Sequence, residues 1–367
     1  MEPAPAGDPL GAGLRAQILF RETGDPAYLS RAEAALDDAA RRGVEVAGPR
    51  AVLAATRHRF STALTLARHA VRLDPYDASA YGALGDALVE LGRYEEGFAA
   101  YDRMAHLSPS VASYARVATG RELLGRQGAA LEALQLALEL ARLTPADRAY
   151  LWVRIGRLHQ DSGRLSPAGR AYRTALRLLP GYVHARAGLA TIEADRGRYG
   201  RAAALLRPVV AARATTEYAV DLGDNLALAR RAEEAEAAYA VARRVERSLA
   251  ANGVRTELQS ALFDLDHDRN LQSALARARV GQGLRPGIEG EHVLAWALYK
   301  NGRCGEARAH SIRALRLGTK DLDAIYHRSL IEACLGNREA AKAFRARLQR
   351  LNPYYLAAPP SPYRLGR

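Results

Sequence analysis

The stretch YGALGDALVELGRYEEGFAAYDRMAHLSP, residues 81–109, is answered further along the chain by WVRIGRLHQDSGRLSPAGRAYRTALRLLP, residues 152–180. In the first run Tyr81, Leu84, Gly85, Leu88, Gly92, Tyr94, Gly97, Tyr101, Met104 and Pro109 carry the pattern. In the second, Trp152, Ile155, Gly156, His159, Gly163, Leu165, Ala168, Tyr172, Ala175 and Pro180 stand at the same spacings. Small residues such as Gly85, Gly156, Ala168 and Ala175 let two helices approach closely, and Tyr101, Tyr172 and Tyr239 fill the space between pairs. Gly92, Gly163, Gly197, Gly302 and Gly336 fall where a first helix must end, and Pro75, Pro109, Pro180, Pro286 and Pro353 where a second cannot continue. Gly163 and Gly197 are 34 residues apart, as are Gly302 and Gly336, so two independent pairs give one period.

A 34-residue unit with this order of large residue, Leu-Gly, Gly-x-aromatic turn, then Ala, aromatic, Ala and Pro resembles the tetratricopeptide repeat (TPR). The resemblance implies an all-α fold, a right-handed α-solenoid superhelix of antiparallel helix pairs. Extending the frame gives ten units, at about 13–43, 44–77, 78–110, 111–148, 149–182, 183–215, 216–254, 255–287, 288–321 and 322–355. The first two, together 13–77, are degenerate: Ala32, Leu36 and Ala39 mark one second helix, and Phe60, Ala63, Ala67 and Ala70 the other. Residues 78–355 continue the same solenoid with eight clearer units. Residues 1–12 read as an N-terminal extension and 356–367, with Pro359, Pro360 and Pro362, as a tail, both expected to be disordered. Leu131–Leu143 and Ala235–Leu249 read as lengthened second helices, with irregular pitch expected near 142–148 and 246–254.

The composition narrows the class further. With 49% hydrophobic residues the chain of 367 can bury a substantial core. The net charge of +13 comes almost wholly from arginine, since only Lys300, Lys320 and Lys342 are lysine. Arginine in place of lysine, in an Ala- and Gly-rich chain, is what a GC-rich genome writes on any exposed helix face, so the charge alone does not establish a nucleic-acid footprint. Two cysteines, Cys304 and Cys334, are too few for a disulfide framework and lack metal-site spacing. Both read as small apolar fillers, which fits a reducing compartment. The N-terminus has no secretory pattern and no apolar run reaches membrane length, so a cytoplasmic protein is expected.

Catalytic motifs are absent. There is no GxxxxGK[ST], HExxH, GxSxG or CxxC, and Gly281-x-Gly283 has no preceding strand. Asp264-x-Asp266-x-Asp268 opens like a calcium loop, but Arg269 replaces the required glycine and Leu275 the bidentate glutamate. Asp266 and Asp268 read instead as turn-shaping caps. No enzyme activity, cofactor or metal is expected.

In the family that the repeats resemble, first helices line a concave groove and ligand contacts come from their non-packing positions. Carried onto this chain, those positions hold Asp86, Glu90, Arg116, Thr119, Glu122, Arg154, Arg157, Asp161, His184, Thr191, Asp195, Asp221 and Asp224, a mixed and mostly polar wall. Arg116 and Arg154 sit in adjacent repeats where an acidic peptide could be met, although the lysine and asparagine of the chaperone-tail-binding subtype are missing. In the last three repeats the same positions give Phe263 on one helix, with Asp266 and His267. His292, Trp296 and Tyr299 follow on the next, and Tyr326 and His327 on the last. This aligned aromatic set is the expected anchor for a partner, unless it packs beneath the following helices or under Tyr354 and Tyr355. The resemblance therefore implies a scaffold or adaptor for a protein or peptide held in the groove. The alternative is an arginine-rich convex face that binds nucleic acid or another acidic polymer, which would show a steep salt dependence.

Overall fold

In the computed structural model residues 7–356 are described, and among them there are twenty α-helices and no strand. The expectations for residues 1–6 and 357–367 lie outside this range. Among the described residues the packing divides the chain into two units: residues 7–108 with 244–256 and 284–287, and residues 109–243 with 257–283 and 288–356.

The first unit contains α1 (Pro9–Thr23), α2 (Ala27–Arg41), α3 (Ala47–Thr56), α4 (Phe60–Leu73), α5 (Ala78–Glu90) and α6 (Tyr94–Leu107). Helix α1 begins at Pro9, inside the expected N-terminal extension, because Asp8 caps it by accepting the Gly11 N–H at 2.8 Å. The degenerate repeats are complete helix pairs, α1 with α2 and α3 with α4, around Leu29, Ala32, Leu36, Ala39, Ala63 and Ala67, all at 0% exposure.

The second unit holds α7 (Val111–Leu123), α8 (Gln127–Leu138), α9 (Pro145–Asp161), α10 (Leu165–Leu178), α11 (Val183–Asp195), α12 (Tyr199–Ala212) and α13 (Thr216–Leu228). Beyond α14 (Ala232–Ala251) it continues through α15 (Glu257–Asp266), α16 (Leu271–Leu284), α17 (Ile288–Lys300), α18 (Cys304–Ala314), α19 (Leu322–Cys334) and α20 (Arg338–Leu351).

The quoted repeat dictates how a pair forms. Helix α5 ends through Gly92, whose φ of 77° turns the chain so that the Arg93 N–H reaches the Leu88 carbonyl at 2.8 Å. The partner helix then lies so close that a Cβ added at Gly85 would stand 2.5 Å from the Tyr101 ring, and one at Gly156 would stand 2.5 Å from Tyr172. Each buried tyrosine hydroxyl finds an acceptor: Tyr101 donates to Asp86 at 3.0 Å, Tyr172 to Gln160 at 2.8 Å and Tyr239 to Asp224 at 2.7 Å.

One of the two expected long second helices is observed and one is not. Helix α14 runs for 20 residues. Helix α8 stops at Leu138, and the extra residues start α9 instead. There Thr144 and Asp147 form a reciprocal capping box and Pro145 occupies the first turn, a position from which proline excludes a continuing helix.

Cys304 and Cys334 are not separate fillers; they are joined by a disulfide. The start of α18 and the end of α19 lie side by side, with the two Cα atoms 6.3 Å apart, an adjacency that their separation of 30 residues does not reveal. Reduction opens that loop in the unfolded chain, so excess reductant is expected to lower stability by about 3–4 kcal/mol. Parallel thermal melts with and without reductant check this, and a Cys304→Ser variant insensitive to reductant is the control.

Candidate functional site

The non-packing face of three first helices builds a cavity in the second unit. Arg154, Arg157 and Asp161 recur at three- and four-residue steps on α9 and so share one face of it. Thr119 and Glu122 project from α7, and Thr191 and Asp195 from α11. The last helix pair returns across them. Asn352 donates to the Gln160 carbonyl at 3.2 Å, and Pro353 packs over Gly163, whose φ is +68°. Gly318 abuts Gly125. Residues 319–323 at the start of α19, with Asn352 and Tyr355, thereby complete a cavity of about 560 Å³. That size lies within the range of known ligand pockets.

Its charges are only partly matched within the fold. Arg154 donates to Glu122 at 2.6 Å, to Thr119 at 3.2 Å and to the Tyr150 hydroxyl at 3.2 Å. Burial works against its charge, and the Glu122 carboxylate and Tyr150 outweigh that, so its pKa is raised. Asp321 is committed as the cap of α19, accepting the Ala324 N–H at 2.7 Å, and Asp323 accepts the Tyr355 hydroxyl. Asp161 and Asp195 remain. Burial pushes the Asp161 carboxyl up to about 6. Arg157 opposes the rise, and Glu122, Asp321 and Asp195 reinforce it. Burial likewise pushes Asp195 up to about 6, against the Gln160 amide, which donates to it at 2.8 Å, and the charge of Arg196. Asp161 and Arg157 are walled by protein yet open to solvent in the cavity.

Of the residues expected to bind a partner, Arg154 lines this cavity. Arg116 is half-buried and donates to the Ala112 carbonyl at 3.2 Å, away from the lining. The aromatic set requires correction. Phe263, Trp296, Tyr326 and His327 are buried, at 8%, 2%, 8% and 1% exposure, and they form interior packing rather than an open anchor. Trp296 stacks on His327 with ring centroids 3.7 Å apart and donates its indole N–H to Asp266 at 3.0 Å. Tyr299, half-buried, also stacks on Trp296, at 5.1 Å. His292 shares a 2.8 Å hydrogen bond with His327, and Phe263 meets the Tyr239 ring edge-on at 5.6 Å. Tyr326 lies under Tyr355 at 5.9 Å. The physical reason is area: rings this large in adjacent helices gain more by covering one another than by facing water.

Asp266 holds Trp296 rather than capping a turn, and Asp268 pairs with Lys300. Among the described residues no group of three or more metal-binding side chains is found. No described helix is long and apolar enough to cross a membrane. Sequence reasoning missed Lys320, Asp321, Asp323 and Asn352, and named Tyr355 only as a possible cover for the aromatic set. They approach α7 and α9 from far along the chain, and nothing local marks that return.

The twenty helices of the described residues, in consecutive pairs with glycine against tyrosine at three of the pair contacts, define a helix-pair repeat protein. The tetratricopeptide repeat family model matches residues 49–112, 153–215 and 292–355, more than half of the chain, and the protein belongs to that family. No curated protein matches the chain. Solved structures are similar to the chain at low identity. The crystal structure of MamA is 18% identical, covering 44% of this chain and 92% of its own, with a TM-score of 0.34. A human IFIT1 dimer with PPP-AAAA is 12% identical, covering 92% of this chain and 82% of its own, with a TM-score of 0.47. Membership in the family supports a repeat scaffold for protein interaction, and proteins of this kind are generally non-catalytic.

Proposed function

We propose that this protein is a non-enzymatic scaffold that holds a segment of a partner protein in the cavity walled by α7, α9, α11 and the start of α19. The observation that carries the reading is the cavity itself. Its wall is built from side chains that the helix pairs do not need for packing, and Arg157, Asp161 and Thr191 are exposed within it. The acids beside many arginines weigh against the acidic-polymer alternative. Arg93 is bound to Glu96 at 2.6 Å, Arg231 to Glu234 at 2.5 Å and Arg303 to Glu306 at 2.6 Å, which lowers the free positive charge of those faces.

Thr191→Trp fills the cavity from an exposed position and spares the core. Affinity capture from nuclease-treated lysate of the source organism, with wild type and this variant, is expected to show protein preys kept by the first and lost by the second. Preys retained equally by both would move the site elsewhere. Recovery only of nucleic acid, and only when nuclease is omitted, would favour the arginine face.

A further inference from the structure

The cavity carries the opposite sign to the chain around it. Its lining presents Glu122, Asp161, Asp195, Asp321 and Asp323 against Arg154, Arg157 and Lys320, in a chain of net charge +13. Glu122, Asp321 and Asp323 already have internal partners, as described above. Asp161 and Asp195 are in no ion pair among the described residues, and they occupy equivalent positions, one repeat apart, on α9 and α11. Asp161 is exposed, and Asp195 is half-buried with one neutral partner, the Gln160 amide, so among the described residues neither carboxylate meets a counter-charge within hydrogen-bond reach. Two ionisable groups held in a walled cavity at a cost to their charged forms are the mark of a site built for a ligand.

Resting on the scaffold reading above, we infer that the partner segment is basic and enters the cavity through an arginine or lysine side chain seated between Asp161 and Asp195. Three carboxylates, Glu122, Asp321 and Asp195, act on Asp161, and Arg157 is the cation that opposes them. Across the whole lining five carboxylates face Arg154, Arg157 and Lys320, and Arg154 is already held by Glu122. A further cation relieves that imbalance, whereas a carboxylate on the partner would add to it. Arg157 remains available to donate to main-chain carbonyls of the same segment. The charged groups around the pair are Glu122 on α7, Arg154 and Arg157 on α9, Arg196 just after α11, Lys320 and Asp321 before α19, and Asp323 on α19.

Binding of a cation requires both carboxyls ionised. Their pKa values stand at about 6, so affinity is present above that pH and is lost as pH falls through it. The same shifts fix the sign for stability. A carboxyl whose pKa is raised on folding disfavours the folded state once ionised, so Asp161→Asn with Asp195→Asn melts no lower than wild type at pH 7.5.

The test uses the full chain and three fluorescent peptides on one Gly-Ser frame, carrying three arginines, three glutamines or three glutamates, read by anisotropy. The arginine peptide is expected to bind most tightly, to lose tenfold or more in the Asp161→Asn/Asp195→Asn variant, and to weaken between pH 7.5 and pH 5. Neutralising exposed Glu95 and Glu96 on α6 as glutamines leaves it unchanged. Equal loss in that control, or no loss in the double variant, overturns the inference. If the glutamate or glutamine peptide binds best and Thr191→Trp abolishes it, the basic-partner inference falls while the groove reading stands. If no peptide responds to Thr191→Trp, both fall.

Discussion

Replacing Trp296 by alanine is expected to cost about 3–5 kcal/mol, the upper range for truncating a buried aromatic. The side chain is 2% exposed and stacks on His327, 3.7 Å away and parallel, and on Tyr299 at 5.1 Å. Its removal opens a cavity among α15, α17 and α19, and it also takes the indole donor from buried Asp266. Trp296→Phe keeps most of the area and loses only that hydrogen bond, so a smaller loss of about 1–2 kcal/mol is expected. Urea unfolding followed by far-ultraviolet circular dichroism separates the two. Because each repeat leans on its neighbours, hydrogen exchange should rise first in α15–α20 while α1–α4 stay protected. Wild-type unfolding of Trp296→Ala would show that the ring is not packed as described.

Glu332→Ala is expected to be comparably damaging, about 3–5 kcal/mol, for an electrostatic reason. This carboxylate is 1% exposed and ties three elements together. It accepts from Arg328 at 2.8 Å on its own helix, from Arg308 at 3.0 Å on α18, and from Asn337 at 2.7 Å at the cap of α20. Burial disfavours its charge, but the hydrogen bonds from Asn337, Arg308 and Arg328 outweigh that and hold its pKa below the usual carboxylate range. Alanine leaves Arg328, itself only 7% exposed, as a buried cation without its counter-charge. The double change Glu332→Met with Arg328→Met removes both charges and is expected to recover much of the loss. The folded pKa is depressed, so the stabilisation is present above the ordinary carboxylate range and disappears as pH falls through the folded value. Denaturation of wild type and Glu332→Ala at pH 7.5 and pH 3 should therefore show a gap that narrows in acid. A gap of the same size at both pH values would mean that the loss is one of packing rather than of charge.

The repeat frame was legible because it rests on local rules. A left-handed glycine ends many of the first helices, small residues face Tyr101, Tyr172 and Tyr239 across three of the pairs, and proline bars several second helices from continuing. The two degenerate pairs keep the same spacings, with Leu36 in place of the pair-contact tyrosine in one and Phe60 at the turn position of Tyr94 in the other. Local rules also explain the miss at α8. Thr144, Pro145 and Asp147 spell a helix start, and the apolar residues up to Leu143 hid it.

The site was legible by half. Arg154, Arg157, Asp161, Thr191 and Asp195 follow from their places on the first helices, since a helix face is fixed by spacing alone. Whether a residue on that face meets solvent or another helix is a tertiary matter. Trp296 and Tyr326 hold equivalent positions to the groove residues, yet the neighbouring helices and Tyr355 bury them, and the gain in buried area decides this without leaving a mark in the spacing. The disulfide between Cys304 and Cys334, and the approach of Asn352 and Lys320 to α9, have the same origin. The sequence determined the repeating pair through short-range backbone and packing constraints. The tertiary structure alone decided which distant pairs meet, because the small rotation from each repeat to the next accumulates along the chain and no local run of residues encodes its sum.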